Sequence, residues 1–172
     1  MKNKIIPFAL ISIGTYMILT KSNPLFGQTI PSLDKNDPWY QTISKYSAIY
    51  HIPKSVIYAV IRIESSGNPR SIEHSGYWSG VGAMQISLPT ARSLGFRGTK
   101  TQLFQRDNNI HYGTAYLARL KKTFHGDIFK IIMGYHRGPD LQPWDQAYLS
   151  KFLRYYYSYA PKLGERAWRY IS

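Results

Sequence analysis

The chain has 172 residues, no cysteine and a formal charge of +13. That length suits one domain with a real hydrophobic core plus a short extension, and the lack of cysteine excludes disulfide staples and thiolate metal sites. The residues after Pro38 hold 18 Lys plus Arg against 7 Asp plus Glu, so the folded part keeps an excess of +11 that would attract nucleic acid, anionic lipid or acidic bacterial wall polymers.

Against nucleic acid, the chain has no zinc-finger spacing, no aromatic signature of a single-strand-binding sheet and no basic heptad helix. Its 15 tyrosines suit a groove that grips a polar polymer such as a glycan, although many must be core.

Lys2-Asn3-Lys4 precedes the mostly apolar run from Ile5 to Leu19, the layout of an export signal. No small-x-small cleavage site follows, so the segment could also remain as an anchor, short of the roughly 20 residues of a spanning helix. The flanking lysines would keep the N-terminus inside and send the domain to the periplasmic or extracellular side, or into a virion. Residues 22–36 read as a linker and 37–172 as the domain.

Asp37-Pro38 opens a helix expected from Trp39 to Tyr50, with Ile43, Tyr46, Ser47 and Tyr50 inward. Beyond the His51-Ile52-Pro53 turn, Val56, Val60 and Ile63 recur at helical spacing, widened by Ile57 and Ile61. Gly67-Asn68-Pro69 ends this helix. Glu64 falls in its last turn on the apolar side. Desolvation and the negative helix end would both favour a protonated carboxyl there, which is what a general acid needs. The alternative is a structural glutamate paired with Arg62 or Arg70, or one that reaches solvent at the helix end.

Residues 70–82 suggest a loop or a short irregular hairpin. Glu73 and His74 lack further ligands at metal spacing, so no metal site is expected. Pro89 starts a short helix that Gly95 ends. Taken alone, Met84 reads as core and Gln85 as surface. Asp107 can cap a helix reaching Phe124, in which Gly113 admits a close neighbour and Asn109 either bridges to the glutamate-bearing segment or serves as a second cap residue. Phe129, Ile132 and Met133 make the next helix apolar, and the turn at Gly138-Pro139 leaves Tyr135 and His136 at the wall of a cleft. Tyr148, Phe152 and Tyr156 share a face of the last helix and read as core rather than site.

Four blocks in order resemble the lytic transglycosylases, lysozyme-like enzymes that cut peptidoglycan glycan strands. They are Ile63-Glu64-Ser65; Gly82-Ala83-Met84-Gln85-Ile86 with Pro89-Thr90-Ala91; Asn109 to Leu117; and Ile132 to Pro139. Tyr148 to Phe152 gives a fainter fifth match. The resemblance implies a mainly α, lysozyme-like fold around a glycan-binding cleft, with a small loop or β element after the catalytic helix. It implies Glu64 as sole catalytic acid and base, Ser65 hydrogen-bonding nearby, Met84 and Gln85 lining the sugar site, and Tyr135 holding Glu64 or the substrate N-acetyl group. Asn109 and His136 complete the implied substrate-binding set. No cofactor is implied, and the expected partner is peptidoglycan, met by a monomer at a bacterial envelope or virion membrane.

The sequence departs from the family pattern at several points. His136 stands where the family has asparagine, which could change the grip on substrate or bring a pH dependence between roughly pH 5 and 8. Ala83 replaces leucine. The acidic residue expected four before the late tyrosine falls on Trp144, with Asp145 one position off. Three alternatives remain: a lysozyme-type muramidase, with Glu73 assisting attack by water, a non-catalytic wall-binding or virion structural protein, or a nucleic-acid binder using the +11 domain. The size and export segment suit phage entry or lysis, or an accessory to secretion or conjugation.

Overall fold

The computed structural model describes residues 32–72, 79–141 and 144–166, which fall within one compact unit. The export or anchor segment, most of the linker, and Glu73 and His74 lie outside the described residues. Among the described residues no helix is long and apolar enough to cross a membrane.

Helix α1 spans Pro38–Tyr50, capped by the Asp37 side chain, which accepts the Trp39 N–H at 2.7 Å. Thr42, Ile43 and Tyr46 are buried, while Ser47 and Tyr50 are only half-buried. His51 closes the helix at φ 51°. Helix α2, Lys54–Ser65, is the element the rest surrounds: Ser55 through Arg62 are all buried. An unbroken buried run of two turns needs neighbours on every side. Helix α7 (Gln146–Tyr159) supplies the most extensive of these contacts, and α1 lies against another part of the surface. Ser66, left-handed at φ 55°, and Gly67 at φ 87° stop α2, and the Arg62 guanidinium donates to the Ser66 carbonyl at 3.1 Å.

After α2 the chain forms a two-stranded antiparallel hairpin, β1 (Gly80–Val81) and β2 (Ile86–Ser87), in which Val81 pairs with Ile86. A small β element does follow the helix, but its ladder runs over residues 80–87, so β2 lies beyond the 70–82 stretch expected to hold it. Ser87 caps α3 (Leu88–Ser93), and Thr99 with Gln102 forms a capping box on α4 (Lys100–Leu103). Val81, Ile86, Leu88, Ala91, Phe96 and Leu103 bury one another in a small separate core.

Helix α5 covers Arg106–Thr123, and its N-cap is Gln105, not Asp107 as expected. Asp107 sits in the first turn, where its carboxylate accepts from the Tyr46 hydroxyl at 2.6 Å and lies 3.2 Å from Lys45 Nζ. Helix α6 (Ile128–Arg137) is capped by Asp127 and ends at Gly138, φ 89°. Tyr148, Phe152 and Tyr156 of α7 are buried as their spacing requires. The architecture is therefore mainly helical, with the hairpin lying beyond the C-terminal end of α2.

Candidate active site

Glu64 is half-buried in the final turn of α2. The Tyr148 hydroxyl donates to its Oε1, across 84 residues of sequence. Tyr148 belongs to the buried face of α7, so helical spacing marks it as core. It is core through its ring and site through its hydroxyl. The helical pattern carries no sign of that second role, which depends on how α7 packs against α2; the faint fifth block that Tyr148 opens is the sequence feature that marks the residue.

Ser65 connects the acid to the hairpin. Its hydroxyl lies 2.7 Å from the Ala83 carbonyl and 3.2 Å from that of Ile61, and it accepts the Gly67 N–H at 3.1 Å. The neighbour of Glu64 thus closes α2 and fixes it to the β1–β2 turn.

The side chains of Met84 and Asn109 are both buried. Met84 is fully buried against Gly113: a Cβ at Gly113 would lie 2.5 Å from its sulfur and 2.9 Å from its own Cβ. Met84 is packed as core, and it is its backbone that meets the neighbouring polar groups. Its N–H donates to Asn109 Oδ1 at 2.8 Å, and its carbonyl accepts from the Tyr135 hydroxyl at 2.8 Å. Asn109, also buried, donates through Nδ2 to the carbonyls of Val81 (2.8 Å) and Leu103 (3.0 Å). It brackets the hairpin turn and reaches the hairpin rather than the glutamate helix itself.

Tyr135 also departs from expectation. Its hydroxyl goes to Met84, so the bond to Glu64 comes from Tyr148 instead. Burial, with negative charge at Glu64 and then Tyr116 adding to it, pushes the Tyr135 hydroxyl well above the ordinary tyrosine range. Tyr135 therefore stays protonated as a fixed donor. Gln85 is half-buried in a left-handed conformation (φ 47°), and its amide nitrogen donates to the carbonyls of Gly82 (2.6 Å) and Ser71 (3.0 Å).

His136 lies flat on the Tyr148 ring, centroids 3.9 Å apart at 8° between planes. Its Nε2 is 3.3 Å from Asp145 Oδ2, and Asp145 Oδ1 accepts the Tyr148 N–H at 2.8 Å. That backbone bond, with those from His136 and Arg137, holds the Asp145 carboxyl below the usual aspartate range despite some desolvation. The described residues contain no cluster of acidic, histidine or cysteine side chains able to hold a metal. Glu64 thus sits between a donor from α7 and a hairpin turn held by α5 and α6, an arrangement that can present one carboxyl to a bound polymer.

Comparison with known proteins adds the family. The model of the transglycosylase SLT domain matches residues 41–151. The transglycosylase of Enterobacteria phage PRD1 is 35% identical over 106 residues, covering 62% of this chain and 37% of that protein. The membrane-bound lytic murein transglycosylase C of Yersinia pestis (strain Pestoides F) is 32% identical over 127 residues, covering 64% of this chain and 35% of that protein. This chain therefore spans about a third of the length of these relatives. In fold it is similar to an inactive glutamate-to-glutamine variant of the lytic transglycosylase Slt from Pseudomonas aeruginosa. The TM-score is 0.65 at 23% identity, over 80% of this chain and 26% of that one. With a family match across most of the described domain and a lysozyme-like neighbour in fold, the chain belongs to the transglycosylase SLT domain family.

Proposed function

We propose that this domain is a peptidoglycan lytic transglycosylase that cleaves the β-1,4 bond between N-acetylmuramic acid and N-acetylglucosamine. The observation that carries the reading is the half-buried carboxyl of Glu64, held at the end of α2 by the Tyr148 hydroxyl. Family membership and the two transglycosylase relatives support the same class of activity. The acidic wall polymer also complements the +11 domain.

Glu64 acts twice. As a carboxylic acid it gives its proton to the glycosidic oxygen, and the bond to the anomeric carbon breaks through an oxocarbenium-like transition state. The muramic N-acetyl oxygen can shield that carbon, as in substrate-assisted glycosidases. The carboxylate, stabilised by the Tyr148 hydroxyl, then takes the proton from the sugar's own 6-hydroxyl. That oxygen closes on the anomeric carbon, giving a 1,6-anhydro end with no water consumed. Gln85, half-buried in the hairpin turn with its amide nitrogen on the Gly82 and Ser71 carbonyls, holds the shape of that turn. Ser65, Met84, Asn109 and Tyr135 hold the frame.

Two measurements test the reading. A Glu64→Gln variant should fail to clear peptidoglycan in a zymogram that the wild type clears, and equal clearing would remove Glu64 from its role. Mass spectrometry of the products should find anhydro ends, and reducing ends heavier by one water would mean hydrolysis instead. Action at the envelope or in a virion fits relatives described as membrane-bound and phage proteins.

A further inference from the structure

The His136–Asp145 pair stands behind the catalytic hydrogen bond rather than in front of it. Asp145 holds both members of the stack through one carboxylate, Oδ2 to the His136 ring and Oδ1 to the Tyr148 N–H. The stack itself is tight and almost parallel, and the Tyr148 hydroxyl at its far edge donates to Glu64. A ring held on one face and at its backbone has little freedom to tilt, so its hydroxyl keeps its direction. The charge around His136 comes in part from Asp145 at the N-cap of α7, Tyr148 within that helix, Arg137 beside it on α6 (3.2 Å from Asp145 Oδ2), and Glu64 on α2 beyond the tyrosine. Tyr135, the other titratable neighbour on α6, stays protonated through burial.

We propose that His136, anchored by Asp145, is a positioning residue for Glu64. It fixes the plane of Tyr148 and couples its own protonation to the ionisation of Glu64 through the stacked ring. An asparagine, which resemblance to the family leads one to expect here, could accept or donate a hydrogen bond but could not carry this charge. Imidazolium over the ring face strengthens the hydroxyl as a donor and favours the Glu64 carboxylate, and the carboxylate in turn favours imidazolium. The coupling is reciprocal, as linkage requires.

This inference rests on Glu64 being the catalytic acid, so one experimental arm is independent of turnover. In an NMR titration of the wild-type protein, the His136 signal, identified among five histidines by its loss in His136→Asn, should move its midpoint to lower pH in Glu64→Gln. The expected displacement is about 0.3 pH unit or more. An unmoved midpoint would overturn the coupling, whatever the enzyme does. The second arm uses kinetics on peptidoglycan fragments. His136→Asn should lower kcat roughly fivefold or more and leave KM within about twofold, because a ring freed to tilt misplaces the donor while the glycan contacts remain. On a Tyr148→Phe background the same substitution should add little, since both act through one hydroxyl. A raised KM with unchanged kcat would make His136 a substrate contact, and full additivity would separate it from Tyr148; either result overturns the proposal. A wild type without turnover would count against the proposed function, leaving the titration to decide the coupling.

Discussion

The carboxylate of Glu165 accepts the backbone N–H of Ser55, 110 residues earlier in the chain, at 2.9 Å. Its other oxygen accepts the Lys54 N–H at 2.8 Å. These are the first two N–H groups of α2, the helix whose opposite end carries Glu64, and Pro53 at the N-cap has no side-chain acceptor to offer them. A segment just after the Pro161–Leu163 turn therefore supplies the anionic cap that the local sequence lacks.

Replacing Glu165 with alanine should cost about 1–2 kcal/mol of stability, the worth of a charged cap. Glu165→Gln should cost less, because one amide oxygen can still accept. Thermal unfolding of the two variants checks the order. Equal stability of all three proteins would mean that water replaces the cap without loss.

Tyr148→Phe removes one hydroxyl from the carboxyl of Glu64 and leaves the buried ring in place. A hydrogen bond to a charged acceptor is worth about 1.5–3 kcal/mol, so kcat should fall roughly 10- to 100-fold with little change in melting temperature. Steady-state turnover of a defined glycan fragment measures it. An unchanged kcat would separate the hydroxyl from the reaction.

Asn109→Asp keeps the shape of a fully enclosed amide and turns two of its bonds into conflicts. The donors facing Val81 and Leu103 become an oxygen facing two carbonyls. Roughly 2–4 kcal/mol of stability should be lost in denaturant unfolding. Activity should fall beyond what the unfolded fraction explains, because the Met84 turn loses its bracket. Wild-type stability in this variant would mean that the turn is held by other means.

Gly113→Ala poses a balance of two effects. Alanine gains about 1 kcal/mol in helix propensity. Overpacking against Met84, whose own Cβ would be only 2.9 Å away, costs about 1–3 kcal/mol. The clash should win, since Met84 is buried and bonded at both its N–H and its carbonyl. The melting temperature should drop, and Met84→Ala on the same background should recover part of the loss. A more stable single variant would show that the methionine yields easily.

The pH dependence of stability has a named contributor. Burial holds the His111 imidazole below the usual histidine range, with Lys45 reinforcing that effect and Asp107 opposing it. The ring is stacked 4.7 Å from Tyr46 and 4.3 Å from Tyr112, with Nε2 2.6 Å from the Tyr50 hydroxyl. Because the unfolded chain binds this proton more readily, stability should rise with pH up to about 6.5 and be lost as pH falls below it. His111→Gln should flatten that rise between about pH 5 and 7 in calorimetry. Parallel slopes for the two proteins would assign it to another group.

How far the sequence discloses this molecule depends on the distance over which each signal acts. The helix carrying Glu64, its stop at Gly67, the hairpin after it and the apolar face of α7 all follow from patterns within about a dozen residues. Asp127 caps α6 by equally local bonds, accepting the Phe129 and Lys130 N–H groups. The Tyr148–Glu64 bond, the three-way bracket of Asn109 and the cap from Glu165 join segments that only tertiary packing brings together. Met84 shows a different limit. Composition alone marks it as core, whereas the resemblance suggests a sugar contact, and its burial under Gly113 favours the first.

The ties of the Ser65 hydroxyl, to Ile61 and Gly67 at the end of one helix and to Ala83 in the hairpin turn, also bear on motion. An excursion that lifts the hairpin away must break the tie beside the acid as well, so the two should open together as one cooperative unit. Amide protons in the last turn of that helix and in the hairpin would then exchange with solvent at a common rate, and the proposed proton donor Glu64 would lose its setting in the same event.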